Sequence, residues 1–280
     1  MTPGVLFVVA TPIGCLGDLS PRAREVLAGV SAILAEDTRR TLRLLSANGI
    51  KTRVVAFHTH NEGQLSPRFL TELREGRSLA LVADAGTPLL CDPGYRLVRS
   101  CRQEGLPVLA VPGPSAVTAA LSVAGLPPYP FTFLGFLPPK KKQRQNFLTA
   151  FAPLPHTLVI FLSPHRLASE LAACREILGA QREAALLAEL SKLHERCLWG
   201  RLGNLSVDEF TLKGEFTLVV GPPEEGPRQS AILAQDAREL VQAFLAQGLP
   251  LAQARKRACE VLGIGRRELY QLLEVAKREA

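Results

Sequence analysis

Between Ser78 and Tyr95 the chain reads SLALVADAGTPLLCDPGY, and few folds can accommodate such a stretch. Leu79-Ala80-Leu81-Val82-Ala83 is a short, unbroken apolar run, as expected of a strand covered on both faces in a parallel sheet. Asp84-Ala85-Gly86-Thr87-Pro88 then brings a carboxylate, a glycine free to take positive φ, a hydroxyl and a rigid proline to the carboxyl end of that strand. Open α/β sheets bind their ligands there. A second turn, Cys91-Asp92-Pro93-Gly94, leads into an amphipathic helix from Tyr95. So much conformational constraint between one buried strand and one helix exceeds what a bare connection needs, and it marks a loop that holds a ligand.

The same unit recurs through residues 1–126. Apolar runs at 5–10, 32–35, 53–57 and 108–111 each precede a polar or Gly/Pro loop and a helical stretch, which predicts a mostly parallel sheet with helices on both sides. Pro127, Pro128 and Pro130 close this domain, since neither a helix nor a central strand continues through them. A second α/β domain, 127–226, is expected from strands at 131–136, 157–162, 184–190 and 215–220, with a basic loop at Lys140 to Arg144. The Gly/Pro-rich segment 221–227 is a linker to a small helical domain, 227–280, whose three helices (230–247, 250–262, 266–277) resemble a helix-turn-helix around Gly263-Ile264-Gly265.

No stretch approaches the ~18 apolar residues that span a bilayer, and the first residues lack the basic flank and cleavage site of a signal peptide, so a cytoplasmic protein is expected. The six cysteines are scattered without a C-x-x-C pair; reduced thiols are expected, and neither zinc nor disulfides. A formal net charge of +7 permits a polyanionic partner.

Thr11-Pro12-Ile13-Gly14 suits close approach of a nucleotide, and Glu36-Asp37 follows at about the 20-residue offset of a dinucleotide ribose clamp. The glycines, however, are spaced G-x-x-G at Gly14 and Gly17, so the dinucleotide fingerprint is missing, as is a P-loop. Arg39 and Arg40 sit where a helix begins and oppose its dipole, which leaves open a role beyond local stability as well as a plain surface salt bridge. His58 and His60 alternate along an extended segment and are expected to point to opposite sides. The run from Lys140 to Arg144 offers positive charge to phosphate, or is simply a solvated loop.

Taken in order, T-P-I-G (11–14), E-D-T-R-R (36–40), D-A-G-T-P (84–88), D-P-G-Y (92–95), P-G-P-S-A (112–116), G-F-L-P-x-K (135–140) and S-P-H-R (163–166) resemble the tetrapyrrole-methylase superfamily, and within it the branch that acts on ribosomal RNA. The resemblance covers residues 5 to about 220 and implies the two-domain α/β fold of class III S-adenosylmethionine methyltransferases with a small C-terminal helical domain. It implies a homodimer, with the methyl donor in the cleft between the α/β domains. The implied substrate is a cytidine ribose 2′-hydroxyl in the decoding region of 16S ribosomal RNA, presented by the assembled small subunit. By position, Pro12, Asp84, Ala85, Gly86, Thr87, Ser115, Ala116, Phe161 and Leu190 would line the donor site. Glu36, Asp37 and Lys192 are the candidate base or ribose-positioning groups, and Arg39, Lys140, Lys141, Lys142, Arg144, Arg166, Arg255 and Arg266 the candidate RNA contacts.

The chain departs from the family pattern in carrying Leu162 for a glutamate, Ala188 for an arginine and Ser191 for a threonine. Two other functions compete: a small-molecule methyltransferase of the same superfamily, and an RNA-binding assembly factor without catalysis. Against the first stand the basic run and the basic C-terminal helices, and against the second the intact Asp84 to Pro88 and Pro112 to Ala116 loops.

Overall fold

The computed structural model describes residues 2–206, 214–223, 227–262, 264–267, 269–270 and 273. In its first half, β1 (Leu6–Val9), α1 (Pro21–Gly29), β2 (Ala32–Ala35), α2 (Thr38–Ala47), β3 (Val54–Ala56), α3 (Glu62–Arg74), β4 (Leu79–Val82), α4 (Tyr95–Gln103), β5 (Val108–Val111) and α5 (Ala116–Val123) alternate strictly. The sheet order is β3-β2-β4-β1-β5, parallel throughout. Strand alternation sends Leu34 to one face, against Phe57, Phe69 and Leu97, and its neighbour Ile33 to the other, against Leu27 and Leu45. Both faces are therefore covered, as the apolar runs predicted.

Helix starts follow local chemistry. Ser20 accepts the Ala23 amide at 3.1 Å and Pro21 opens α1. The α4 start is capped at a distance instead: Gly94 has no side chain to offer, and the buried carboxylate of Glu62 on α3 accepts the Arg96 amide at 2.9 Å. Helix α3 begins at Glu62, five residues before Pro67, which lies inside it.

The second half contains β6 (Phe131–Phe136), α6 (Lys141–Phe151), β7 (Thr157–Leu162), α7 (Leu167–Leu178), β8 (Glu183–Ala188), β9 (Arg196–Arg201) and β10 (Phe216–Val220). Its sheet, ordered β6-β7-β10-β8-β9, is mixed: β6 runs parallel to β7 and the remaining pairs are antiparallel. Strand β8 stops at Ala188, short of the expected residue 190, because Glu189 and Ser191 take positive φ of 55° and 64° and turn the chain toward the cleft. Arg182, only 3 % exposed, ties the far end of this sheet by donating to the carbonyls of Gly221 and Ala152.

The expected basic loop is a helix N-terminus. Lys140 is the N-cap of α6 and Lys141 and Lys142 lie exposed in its first turn. Arg144 contradicts its expected role as an RNA contact: it is 5 % exposed, and its guanidinium donates to the carbonyls of Pro138 and Pro139, where it holds the turn. Helical periodicity carries it inward while Lys140 to Lys142 face out.

The chain divides into two compact units, Met1–Pro223, which holds both sheets, and Glu224–Ala280. In the second, α8 (Pro227–Ala246) and α9 (Leu251–Leu262) bury Ala237, Val241, Ala254 and Ala258 together with Leu269. Most of the expected third helix lies outside the described residues. No helix among the described residues is long and apolar enough to cross a membrane.

Candidate active site

Loops from four strand ends of the first sheet are laced together at its carboxyl edge. Gly86 and Thr11 exchange backbone hydrogen bonds at 2.9 and 3.0 Å, which fastens the loop after β4 to the loop after β1. The Thr87 hydroxyl donates to the Pro114 carbonyl at 3.1 Å and fastens the loop after β5. Asp84 Oδ1 accepts the Asp37 amide at 2.9 Å, bringing in the loop after β2, and Asp84 Oδ2 faces Arg40 of α2 at 3.7 Å. Across the gap, Ser191 donates its hydroxyl to Asp18 at 2.8 Å and accepts the Cys15 amide at 3.4 Å. Gly14 packs so closely there that a Cβ would lie 2.7 Å from the Ser191 carbonyl.

Two hollows meet at Asp84 and Ala85. The first, about 230 Å³, lies between Asp84, Ala85, Gly86, Thr87, Ser115 and Ala116 on one side and Phe136, Phe161, Leu162 and Thr217 on the other, with Cys91 and Asp92 at its edge. Phe133 and Phe136 hold the Phe161 ring at centroid distances of 4.9 and 5.5 Å, so its wall is a rigid aromatic surface. The second hollow, about 370 Å³, shares Ile13, Arg40, Asp84, Ala85 and Glu215 with the first and adds Pro12, Arg43 and Lys192. One end of the cleft is thus apolar and small-residue-lined, and the other is basic. Leu89 and Cys91, both with φ above 70°, join Glu189 and Ser191 as non-glycine residues in the left-handed region around this cleft.

Of the expected donor-site residues, eight line one or both hollows; Leu190 stands behind the wall, packed in the cluster with Ile13, Val117 and Phe161. The candidate catalytic groups separate by environment. Asp37 is the N-cap of α2, and the hydrogen bonds from Arg39 hold its carboxyl down at about 2. Glu36 is pushed above the ordinary carboxylate range by burial and by Asp84, but it lines neither hollow. Burial opposes the charge of Lys192, yet its hydrogen bond to Glu189 at 2.8 Å and the nearby Glu215 outweigh that and hold it firmly protonated. It is therefore a fixed cation of the second hollow rather than a base.

The expected RNA contacts are more scattered. Arg39 is highly exposed but spends its guanidinium on Asp37, and Arg166 is paired with the fully buried Glu170 at 2.8 Å. Arg255 stacks on Tyr270 at 4.7 Å and Arg266 is exposed, both in the second unit. His58 and His60 do not point apart: the chain turns after Ala56, Asn61 accepts the His58 amide, and the rings meet edge-on at 5.9 Å.

Arg43, Asp92, Phe136 and Glu215 were not among the residues the sequence put forward for the site, and Arg40 entered only as a charge at a helix start with its role open. Arg40 and Arg43 are three apart on α2 and so share a face, a signal already present in the sequence. Of the three departures, Leu162 is a wall residue of the first hollow and Ala188 is buried in β8, while Ser191 supplies the hydroxyl that bridges the gap.

Comparison with known proteins agrees with this architecture. A protein from Xylella fastidiosa called ribosomal RNA small subunit methyltransferase I is 47 % identical over 96 % of this chain and 98 % of its own length. Its namesake from Escherichia coli O157:H7 is 44 % identical over 96 % of this chain and 94 % of its own. Among solved structures, uroporphyrin-III C-methyltransferase from Thermus thermophilus superposes with a TM-score of 0.55 at 26 % identity, over 78 % of this chain and 94 % of that one. The family model described as tetrapyrrole (corrin/porphyrin) methylases matches residues 5–206, which hold the first sheet, every strand of the second but β10 and most of the lining of both hollows, and the chain belongs to that family.

Proposed function

We propose that this chain transfers a methyl group from S-adenosylmethionine to the ribose 2′-hydroxyl of a cytidine in small-subunit ribosomal RNA. The observation that carries the reading is the kinship along nearly the whole chain, at 40–47 % identity, with proteins called ribosomal RNA small subunit methyltransferase I. The first hollow fits the donor: small residues leave backbone groups approachable, Phe136 and Phe161 offer an aromatic wall for a base, and the carboxylate of Asp84 suits a cation. When bound, the donor supplies an activated methyl on a positively charged sulfur. The second hollow, with Arg40, Arg43 and Lys192, suits the sugar-phosphate of a target nucleotide. Holding hydroxyl and methyl in line is the larger part of the work, since positioning alone contributes up to ~7 to 11 kcal/mol. An assembled subunit as substrate, a homodimeric enzyme and a cytoplasmic setting belong to the same reading.

The test is transfer of labelled methyl to small subunits from cells lacking this modification, with naked RNA alongside, followed by nucleoside analysis. 2′-O-methylcytidine is the expected product; label on a base or on a tetrapyrrole alone would overturn the reading. Joint replacement Arg40→Gln, Arg43→Gln should raise KM for subunits by about tenfold or more and flatten its salt dependence, as loss of phosphate contacts predicts. Donor affinity measured by calorimetry should change far less.

A further inference from the structure

We propose that Asp92 accepts the proton of the substrate hydroxyl, an inference that rests on the methyltransferase reading above. Asp92 opens the D-P-G-Y turn before α4 and is a lining residue of the first hollow together with Asp84. The other carboxylates of the cleft are committed. Asp84 holds the Asp37 amide and faces Arg40, while Glu189 and Glu215 hold Lys192. Glu36 lines neither hollow. Among the described residues, no hydrogen bond or ion pair engages the Asp92 carboxylate. A free carboxylate at the wall of a reaction cleft has its lone pairs available to a substrate.

Its surroundings suit that task. The charged and titratable groups around it are Glu36 and Asp84, Arg40 and Glu215 on the walls of the same hollow, the adjacent Cys91, and His58 acting on Glu36. Burial, followed by repulsion from Glu36 and Asp84, pushes the Asp92 carboxyl up to about 7. A base is most useful when its proton affinity lies near the working pH. In the step proposed, the hydroxyl O–H bond breaks and its proton passes to a carboxylate oxygen of Asp92. The freed pair on the ribose oxygen forms the bond to the methyl carbon, and the carbon–sulfur pair returns to sulfur, which leaves as a neutral thioether. Asp92 then gives its proton to water.

Asp92→Asn keeps the shape and removes the acceptor; Asp92→Glu restores the acceptor. With donor and subunits saturating, wild-type kcat should rise through an apparent pKa near 7, with the alkaline form active. Asp92→Asn should lose about 100-fold or more in kcat and lose that acidic limb, Asp92→Glu should recover both in part, and donor Kd should stay within about threefold. A kcat for Asp92→Asn close to wild type, or a persisting limb, would overturn the assignment. So would a donor Kd weakened about tenfold with kcat intact, the result for a residue that only binds donor.

A second readout needs no turnover. With its folded pKa raised, Asp92 keeps a proton that the unfolded chain releases near pH 4, so its contribution to stability is lost as pH rises toward and through 7. Asp92→Asn should therefore melt a few degrees above wild type at about pH 8 and converge with it near pH 4, and a pH-independent difference would count against the proposal. If wild-type protein labels no subunits, the methyltransferase reading itself fails. If it labels them and Asp92→Asn does so equally well, only the role of Asp92 fails.

Discussion

Valine at Gly86 is expected to weaken S-adenosylmethionine binding by about 100-fold or more, equivalent to roughly 2.7 kcal/mol. Gly86 has φ of +78°, where an L side chain costs about 1–2 kcal/mol before any contact is counted. A Cβ there would lie 3.2 Å from Ile13 Cγ2 and 3.8 Å from the Pro114 carbonyl, and the two further methyls of valine need space from the same wall. Ile13 cannot retreat freely, since it is packed in the cluster with Val117 and Leu190 and its loop is fixed to Gly86 by two backbone hydrogen bonds. Relief must come from moving the loop after β1 or the loop after β4, and both line the first hollow. Gly105→Val is the control. That glycine has φ of +69° and open space for at least 4 Å around the place a Cβ would occupy, so it incurs the backbone cost without touching the cleft. Both variants should lose stability by thermal unfolding, and only Gly86→Val should lose donor affinity by calorimetry. Equal donor binding by the two would show that the loop after β4 is not the donor's seat.

The parts of this molecule legible in sequence are those where one residue type has few other uses. The runs LALV and AILA, apolar at every position, announced strands buried on both faces, and the Gly/Pro loops announced the carboxyl edge where Asp84, Gly86 and Ser115 meet. Strand β9, RCLWGR, was not foreseen because it lies at a sheet edge, with its residues exposed or half-exposed and no apolar run to mark it. Arg144 was misread because charge says nothing about which helix face a residue occupies; the carbonyls of Pro138 and Pro139 decide it. Pairing is equally invisible. Asp37 looked available in E-D-T-R-R, yet Arg39 two residues on consumes it, and Lys192 is fixed by Glu215, which the sequence places more than twenty residues away. Such losses are expected wherever long-range partners decide the role of a charge.

The charge of Asp84 should be readable in how well the protein tells donor from product. S-adenosylmethionine and its demethylated product differ by one methyl and by the positive charge on sulfur, so a carboxylate on the wall of the first hollow favours the donor electrostatically. Because the Asp84 side chain retains 27 % exposure, the preference is that of a partly screened charge, about 1.4 kcal/mol or tenfold. Asp84→Asn retains an oxygen for the Asp37 amide and loses only the charge. It should weaken donor binding about tenfold, leave product binding nearly unchanged and melt close to wild type. Asp84→Ala loses more: the Asp37 amide is left without its acceptor and Arg40 without its counter-charge, at a cost of about 1–3 kcal/mol to the start of α2. Its kcat/KM should fall by about 100- to 1,000-fold, the combined effect of a displaced α2 loop and a lost charge. Equal loss of donor and product affinity in Asp84→Asn would mean that Asp84 acts through hydrogen bonding alone. Unchanged binding of both would move the donor away from the loop after β4. A selective loss of donor affinity would tie the one chemical difference between substrate and product to a single carboxylate, placed by a buried strand and held by the neighbouring helix.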